Sequence, residues 1–224
     1  PEDMGGMAGK LAMTLSSGLD FVGMGAFTGA SGLTGSEADG TNVLTGGQLD
    51  FSTDWAFDGW SRTAGATQAP NGLMEADLAT FAAGSTSHRI TLAHSLTQGS
   101  AHTLSFYVKK GTATAFHFFI TDKVFDLAGS HAIYANFDLE TGTIGYSGVV
   151  GGQGSILQHS IAPAVNGFYK CTLKGVPFTV GEYGDYGWIG CIGLLTPANA
   201  VDPTFYDASN AKTLSIWRPK LVIG

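Results

Sequence analysis

From His102 to Lys110 the chain reads His-Thr-Leu-Ser-Phe-Tyr-Val-Lys-Lys, with apolar and polar positions in alternation. Leu104, Phe106 and Val108 fall on one side of a period-two ribbon. Thr103, Ser105, Tyr107 and Lys109 fall on the other, which is the pattern of a strand with one buried face. Burying the three apolar side chains contributes on the order of 1.5–3 kcal/mol each, and a one-residue slip in register would forfeit most of that. This segment is expected to lie in the middle of a sheet and to fix its neighbours.

Similar short runs recur along the chain. The pattern predicts strands near 48–52, 60–67, 73–81, 87–96, 102–110, 114–121, 131–138, 142–148, 155–161, 168–175, 187–195 and 212–223. Turn chemistry separates them, as at Ala69-Pro70-Asn71-Gly72, Glu140-Thr141-Gly142 and Gly151-Gly152-Gln153-Gly154. After Asp138-Leu139-Glu140-Thr141, Gly142 is expected to supply the positive φ of a tight hairpin, with Ile144 resuming the next strand. Many short strands at regular spacing, without a long helix or a repeat, predict an all-β fold: a two-sheet antiparallel β-sandwich, or jelly roll.

Residues 1–47 break the pattern. Gly, Ala, Ser, Thr and Met prevail there, and Phe21 and Phe27 are the only aromatic residues. Ordering such backbone costs about 1–2 kcal/mol per residue with few side chains to offset it. Residues 1–47 are therefore read as an extended Gly-rich N-terminal arm for attachment or oligomerisation, and 48–224 as the sandwich domain. Leu11, Leu15, Phe21 and Val22 favour a docking segment over a purely solvated tail.

Composition narrows the function. Only 13% of residues are charged, 44% are hydrophobic, and Gly reaches 33. A net charge of -7 and eleven Lys and Arg residues spread along the chain predict no nucleic-acid partner. No apolar run approaches the roughly 18 residues of a membrane helix, so no membrane insertion is expected. Pro1 is the kind of residue exposed by removal of an initiator Met, and a start in the cytoplasm is expected. Cys171 and Cys191 stand alone, without a Cys-x-x-Cys pair, and read as buried free thiols, with a disulfide as the alternative.

No nucleophile elbow, His-Glu-x-x-His, phosphate loop or dinucleotide fingerprint is present. The five Glu residues are far apart, and only Glu75 and Asp77 share a strand face, read as a solvated one. His88 with His94, and His102 with His117 on adjoining strands, are read as polar-surface or satisfied core histidines rather than zinc ligands. Asp185, Asp202 and Asp207 lack calcium-loop spacing. No catalytic set, metal or cofactor is expected. Trp55 and Trp60 are assigned to the core. The best candidate is Gly181 to Trp188, where Tyr183, Tyr186 and Trp188 are interleaved with Glu182 and Asp185. Flat rings stack on the apolar face of a sugar while carboxylates accept from its hydroxyls. The alternative is that these rings pack on the sandwich edge.

A series of phrases carries a resemblance. Asp50-Phe51-Ser52 with Trp55, Ala69-Pro70-Asn71-Gly72, His88-Arg89-Ile90, the 103–109 strand, Phe137 to Gly142, Asn166-Gly167-Phe168-Tyr169-Lys170-Cys171 and Ile216-Trp217-Arg218-Pro219-Lys220-Leu221 follow in that order. Over residues 48–223 the chain resembles the carbohydrate-binding-module-like, concanavalin-like jelly rolls of tailed-bacteriophage structural proteins. The resemblance implies a non-catalytic virion protein, a capsid decoration or a head or tail fibre, made in the bacterial host cytoplasm. It further implies a host-surface glycan as ligand, other virion proteins as partners of residues 1–47, and a homo-oligomer, with a trimer as first expectation. The alternatives are a capsid cement protein without ligand, and a secreted carbohydrate-binding module or glycosidase.

Overall fold

A computed structural model describes residues 40–83, 88–123, 130–180, 185–194 and 211–224. Residues 1–39 of the expected arm lie outside these. Twelve strands follow in chain order: β1 Ala56–Asp58, β2 Trp60–Gln68, β3 Met74–Phe81, β4 Arg89–Ser95, β5 His102–Lys110, β6 Ala115–Thr121, β7 Ala132–Asp138, β8 Thr143–Val150, β9 Ser155–Pro163, β10 Tyr169–Val176, β11 Tyr186–Leu194 and β12 Lys212–Ile223. They form two six-stranded antiparallel sheets, β1-β4-β11-β6-β7-β8 (the β6 sheet) and β2-β3-β12-β5-β10-β9 (the β5 sheet).

The pairing is nested. β3 pairs with β12, β4 with β11, β5 with β10 and β6 with β7, so one long antiparallel ribbon is rolled until its halves face each other. The inner strands are then ordered β3-β12-β5-β10 opposite β4-β11-β6-β7, the jelly-roll arrangement. The consecutive strands β8 and β9 each add one strand to an edge of a different sheet, and β1 and β2 do the same at the opposite edges.

As the alternation predicts, β5 is an inner strand, with Leu104, Phe106 and Val108 buried in the core. The Phe106 ring meets Phe118 of the other sheet edge-on, with centroids 4.6 Å apart. Phe118 in turn meets Phe137, and Phe116 stacks on Phe137. Trp55 and Trp60 are buried in the same cluster, as expected. The Glu140-Thr141-Gly142 hairpin is also as expected: Gly142 has φ 68°, and Asp138 Oδ1 accepts from the backbone N–H groups of Glu140 and Thr141.

The strand expected at 48–52 does not form. Residues Gly46–Leu49 make a 3₁₀ turn, in which Gln48 Oε1 accepts from Thr45 N. Phe51 takes a left-handed backbone, φ 58°, which ends any alternation. That conformation delivers the Phe51 ring onto Phe106 at 5.0 Å and onto Trp55 at 4.8 Å, and Trp55 Nε1 donates to Gln48 O. The segment closes the core as a plug rather than extending a sheet. Just before it, Asn42 Oδ1 accepts from Leu221 N, Val43 N donates to Leu221 O, and Leu44 is buried. Residues 42–44, which the sequence groups with the arm, thus run against β12.

Cys171 lies in β10 and Cys191 in β11, on opposite sheets, and both are buried free thiols. Burial pushes both thiols above the usual range. Phe106→Ala removes the ring that joins plug and sheets, and a loss of about 3–5 kcal/mol is expected, read as a lower urea midpoint at unchanged slope. A variant that unfolds at the parental midpoint would show that this ring does not hold the sheets together.

Candidate functional site

The outer face of the β6 sheet carries the candidate site. On β11, Ile189 and Cys191 point into the core, so Tyr186, Trp188 and Gly190 point outward. Tyr186 is 46% exposed and meets Trp188 edge-on at 5.3 Å. Asp185 immediately precedes them, with Oδ1 accepting from Gln98 N and its carbonyl from Leu96 N. These two bonds pin the start of β11 to the turn between β4 and β5. Asp185, Tyr186 and Trp188 are therefore brought together; Glu182 and Tyr183 lie outside the described residues.

Cross-strand neighbours extend this face. Trp188 stands beside Ala93 and Thr121, and Thr121 beside Ala132. Gly190 stands opposite Phe119, whose ring would come within 3.0 Å of any Cβ placed there. Next to Phe119 is Tyr134, followed by Gly148 on β8. Two glycines thus flank a pair of adjacent buried rings across the sheet.

Tyr134 lies 5.9 Å from Tyr146, which is 47% exposed at the β8 edge. Burial first, then the neighbouring Tyr146 hydroxyl, pushes the Tyr134 hydroxyl above the usual phenol range. The His117 ring stacks on Tyr134 at 5.0 Å, and its Nδ1 donates to Asn136 Oδ1 at 2.6 Å. Burial lowers the His117 pKa to about 4, against the opposing bond to Asn136, so the ring is neutral near pH 7. His117, Asn136, Tyr134 and Tyr146 were not singled out from the sequence as ligand groups. The available signal was His117 and Asn136 interrupting two largely apolar strands, at paired positions.

The other chemical candidates separate. Asp77 is not on a solvated face with Glu75: it is buried, Oδ2 pairs with Arg62 Nε at 2.5 Å and Oδ1 accepts from Gly65 N. The carboxylate neutralises a guanidinium at the bulge of β2, while exposed Glu75 accepts from Asn71. His102 and His117 are not on adjoining strands, since β5 and β6 belong to different sheets. His88 Nε2 donates to Ala82 O, and His94 Nδ1 to Ser95 O. Among the described residues no three His, Cys, Asp or Glu side chains gather as a metal site. Asp202 and Asp207 lie outside those residues. No helix among them is long and apolar enough to cross a membrane.

The nested pairing regroups the cations. Eight of the eleven Lys and Arg residues lie in strands of the β5 sheet, whereas Arg89, bonded to Asp58 at 2.9 Å, is the only one in the β6 sheet strands. Residues distant in sequence become neighbours through the nested pairing.

No protein-family model matches the chain, and no curated protein matches it. Among solved structures, a sialidase is similar over 75% of this chain at 9% identity and a TM-score of 0.24. The chain spans 18% of that sialidase.

Burial lowers the pKa of His102, as it does that of His117, to about 4. Both imidazoles are held neutral when folded and protonate near 6.5 when unfolded, so their contribution is present above about pH 6.5 and is lost as pH falls toward about 4. Denaturation from about pH 7 to about pH 5 should show a loss on the order of 1 kcal/mol per imidazole. In His102→Leu the loss should be smaller; equal pH slopes in parent and variant would rule His102 out as a source.

Proposed function

We propose that this chain is a non-catalytic carbohydrate-recognition jelly roll displayed on the particle of a tailed phage. The observation that supports it is the pair Tyr186 and Trp188, side by side on the outer face of β11 with Asp185 fixed beside them. A pyranose presents an apolar face to such rings and hydroxyls to a carboxylate. On the same sheet Tyr146 is exposed at the β8 edge, whereas Phe119, Tyr134, His117 and Asn136 are buried.

The phage setting follows the resemblance of the phrases between residues 48 and 223. In this reading residues 1–47 join the domain to other virion proteins, and the assembly is a homo-oligomer, with a trimer as the first candidate. Because Asn42 and Leu44 engage the sandwich, a deletion that tests attachment should stop at residue 39.

Glycan-array binding should fall by about tenfold or more in Tyr186→Ala and in Trp188→Ala, as loss of one stacked ring is worth roughly 1–2 kcal/mol. Both variants should keep the parental melting temperature. If a folded double variant adsorbs to host cells like the parent, the domain is a structural cement rather than an adhesin. Release of reducing ends from a bound glycan would make it an enzyme and overturn the proposal.

A further inference from the structure

Four strands end the two sheets, and three of them carry a device that hinders further strand pairing. β1 is three residues long and ends in Asp58, which is bonded to Arg89. β2 holds the Arg62–Asp77 ion pair and two register shifts. β9 is irregular opposite Lys174 and Gly175 and ends in Pro163. β8 differs. It is eight residues long, without a charged residue or a proline, and its register shift falls before Ser147. Residues 147–150 then run in unbroken register with 132–135 of β7.

Charge is absent over a wider stretch. Residues 141–169, which include β8, β9 and the turn between them, contain no Asp, Glu, Lys or Arg, although the chain has 18 acidic and 11 basic residues. β7, the partner of β8, has a charged residue only at its far end, Asp138. Tyr146, Val149 and Leu157 are exposed along this side of the sandwich, where β8 and β9 adjoin.

We propose that the outer edge of β8 pairs antiparallel with the same edge of a second copy of this chain, joining two six-stranded sheets into one. A strand edge presents a row of N–H and C=O groups, which another strand can satisfy at a spacing of about 4.8 Å. Charge then selects the partner. A contact between identical surfaces doubles any charge it carries, and a chain of net charge -7 repels its own copies, so self-pairing needs an uncharged segment such as this one. Pairing about a two-fold axis is also closed: the joined sheet ends on β1 at both sides, where the Asp58–Arg89 pair hinders further growth. The contact is separate from residues 1–47 and from the Tyr186–Trp188 pair, and holds whether or not those bind as proposed.

In sedimentation velocity the full chain should show twice the mass of Val149→Lys, whatever residues 1–47 add to both. Val149→Lys and Val149→Glu should each keep the parental melting temperature and raise the dissociation constant of the pair about tenfold or more, because like charges meet across the axis. An equimolar mixture of the two variants should recover the parental mass. In the unsubstituted chain, amide exchange at residues 147–150 should slow as concentration rises, while exchange in β2 stays constant. Self-pairing is overturned by equal masses of parent and Val149→Lys, by no recovery in the mixture, or by exchange in β8 that ignores concentration while the mass rises with it. A parent that stays at single-chain mass also overturns it, and leaves this edge to a strand of a different protein.

Discussion

The structure depends on the contact between Phe106 and Phe118 across the sandwich. Each sheet alone would expose one apolar side to water, and neither would be stable as a free layer. The two rings meet edge-on at 4.6 Å from strands at the heart of their sheets. Phe51 and Trp55 close on Phe106 from the plug at residues 46–55. One side chain therefore couples three parts of the chain, and the inner faces of both sheets are committed to packing. Whatever the domain recognises must meet its outer faces, its edges or its loops.

Those outer faces have been given different chemistry by the same roll of the chain. Nested pairing places β11, β6 and β7 side by side, which gathers rings, an amide and a neutral imidazole on one sheet. It also places β12, β5 and β10 side by side, which gathers lysines and hydroxyls on the other. Carboxylates meet cations at the sheet margins, as where buried Asp77 holds Arg62 at an edge bulge and Glu140 holds Lys110 at the end of β5.

Most of the sandwich was legible in the sequence because alternation reports facing directly. The core-facing residues of β5 were readable, although Thr103 and Ser105, expected on the other face, are also buried, and eleven of the expected strands match observed ones within a few residues. Residues 48–52 misled because Phe51 is buried by a backbone turn, a conformation that hydrophobic pattern does not reveal. Tyr186 and Trp188 were legible as aromatics between glycines. His117, Asn136 and Tyr134 were not, since β6 and β7 are buried on both sides and read as continuous apolar runs. The cationic face was hidden for a different reason: periodicity tells which way Lys170 and Lys220 point, but not that their strands flank β5.

β12 occupies the interior of its sheet, between β3 and β5, although it is the last strand in chain order. As the polypeptide leaves the ribosome, β3 and β5 must wait with their facing edges unpaired until some 130 and 100 later residues, respectively, have been made. During synthesis the nascent chain thus holds two open β-edges in reserve. The β5 sheet therefore cannot close before β12 has been made.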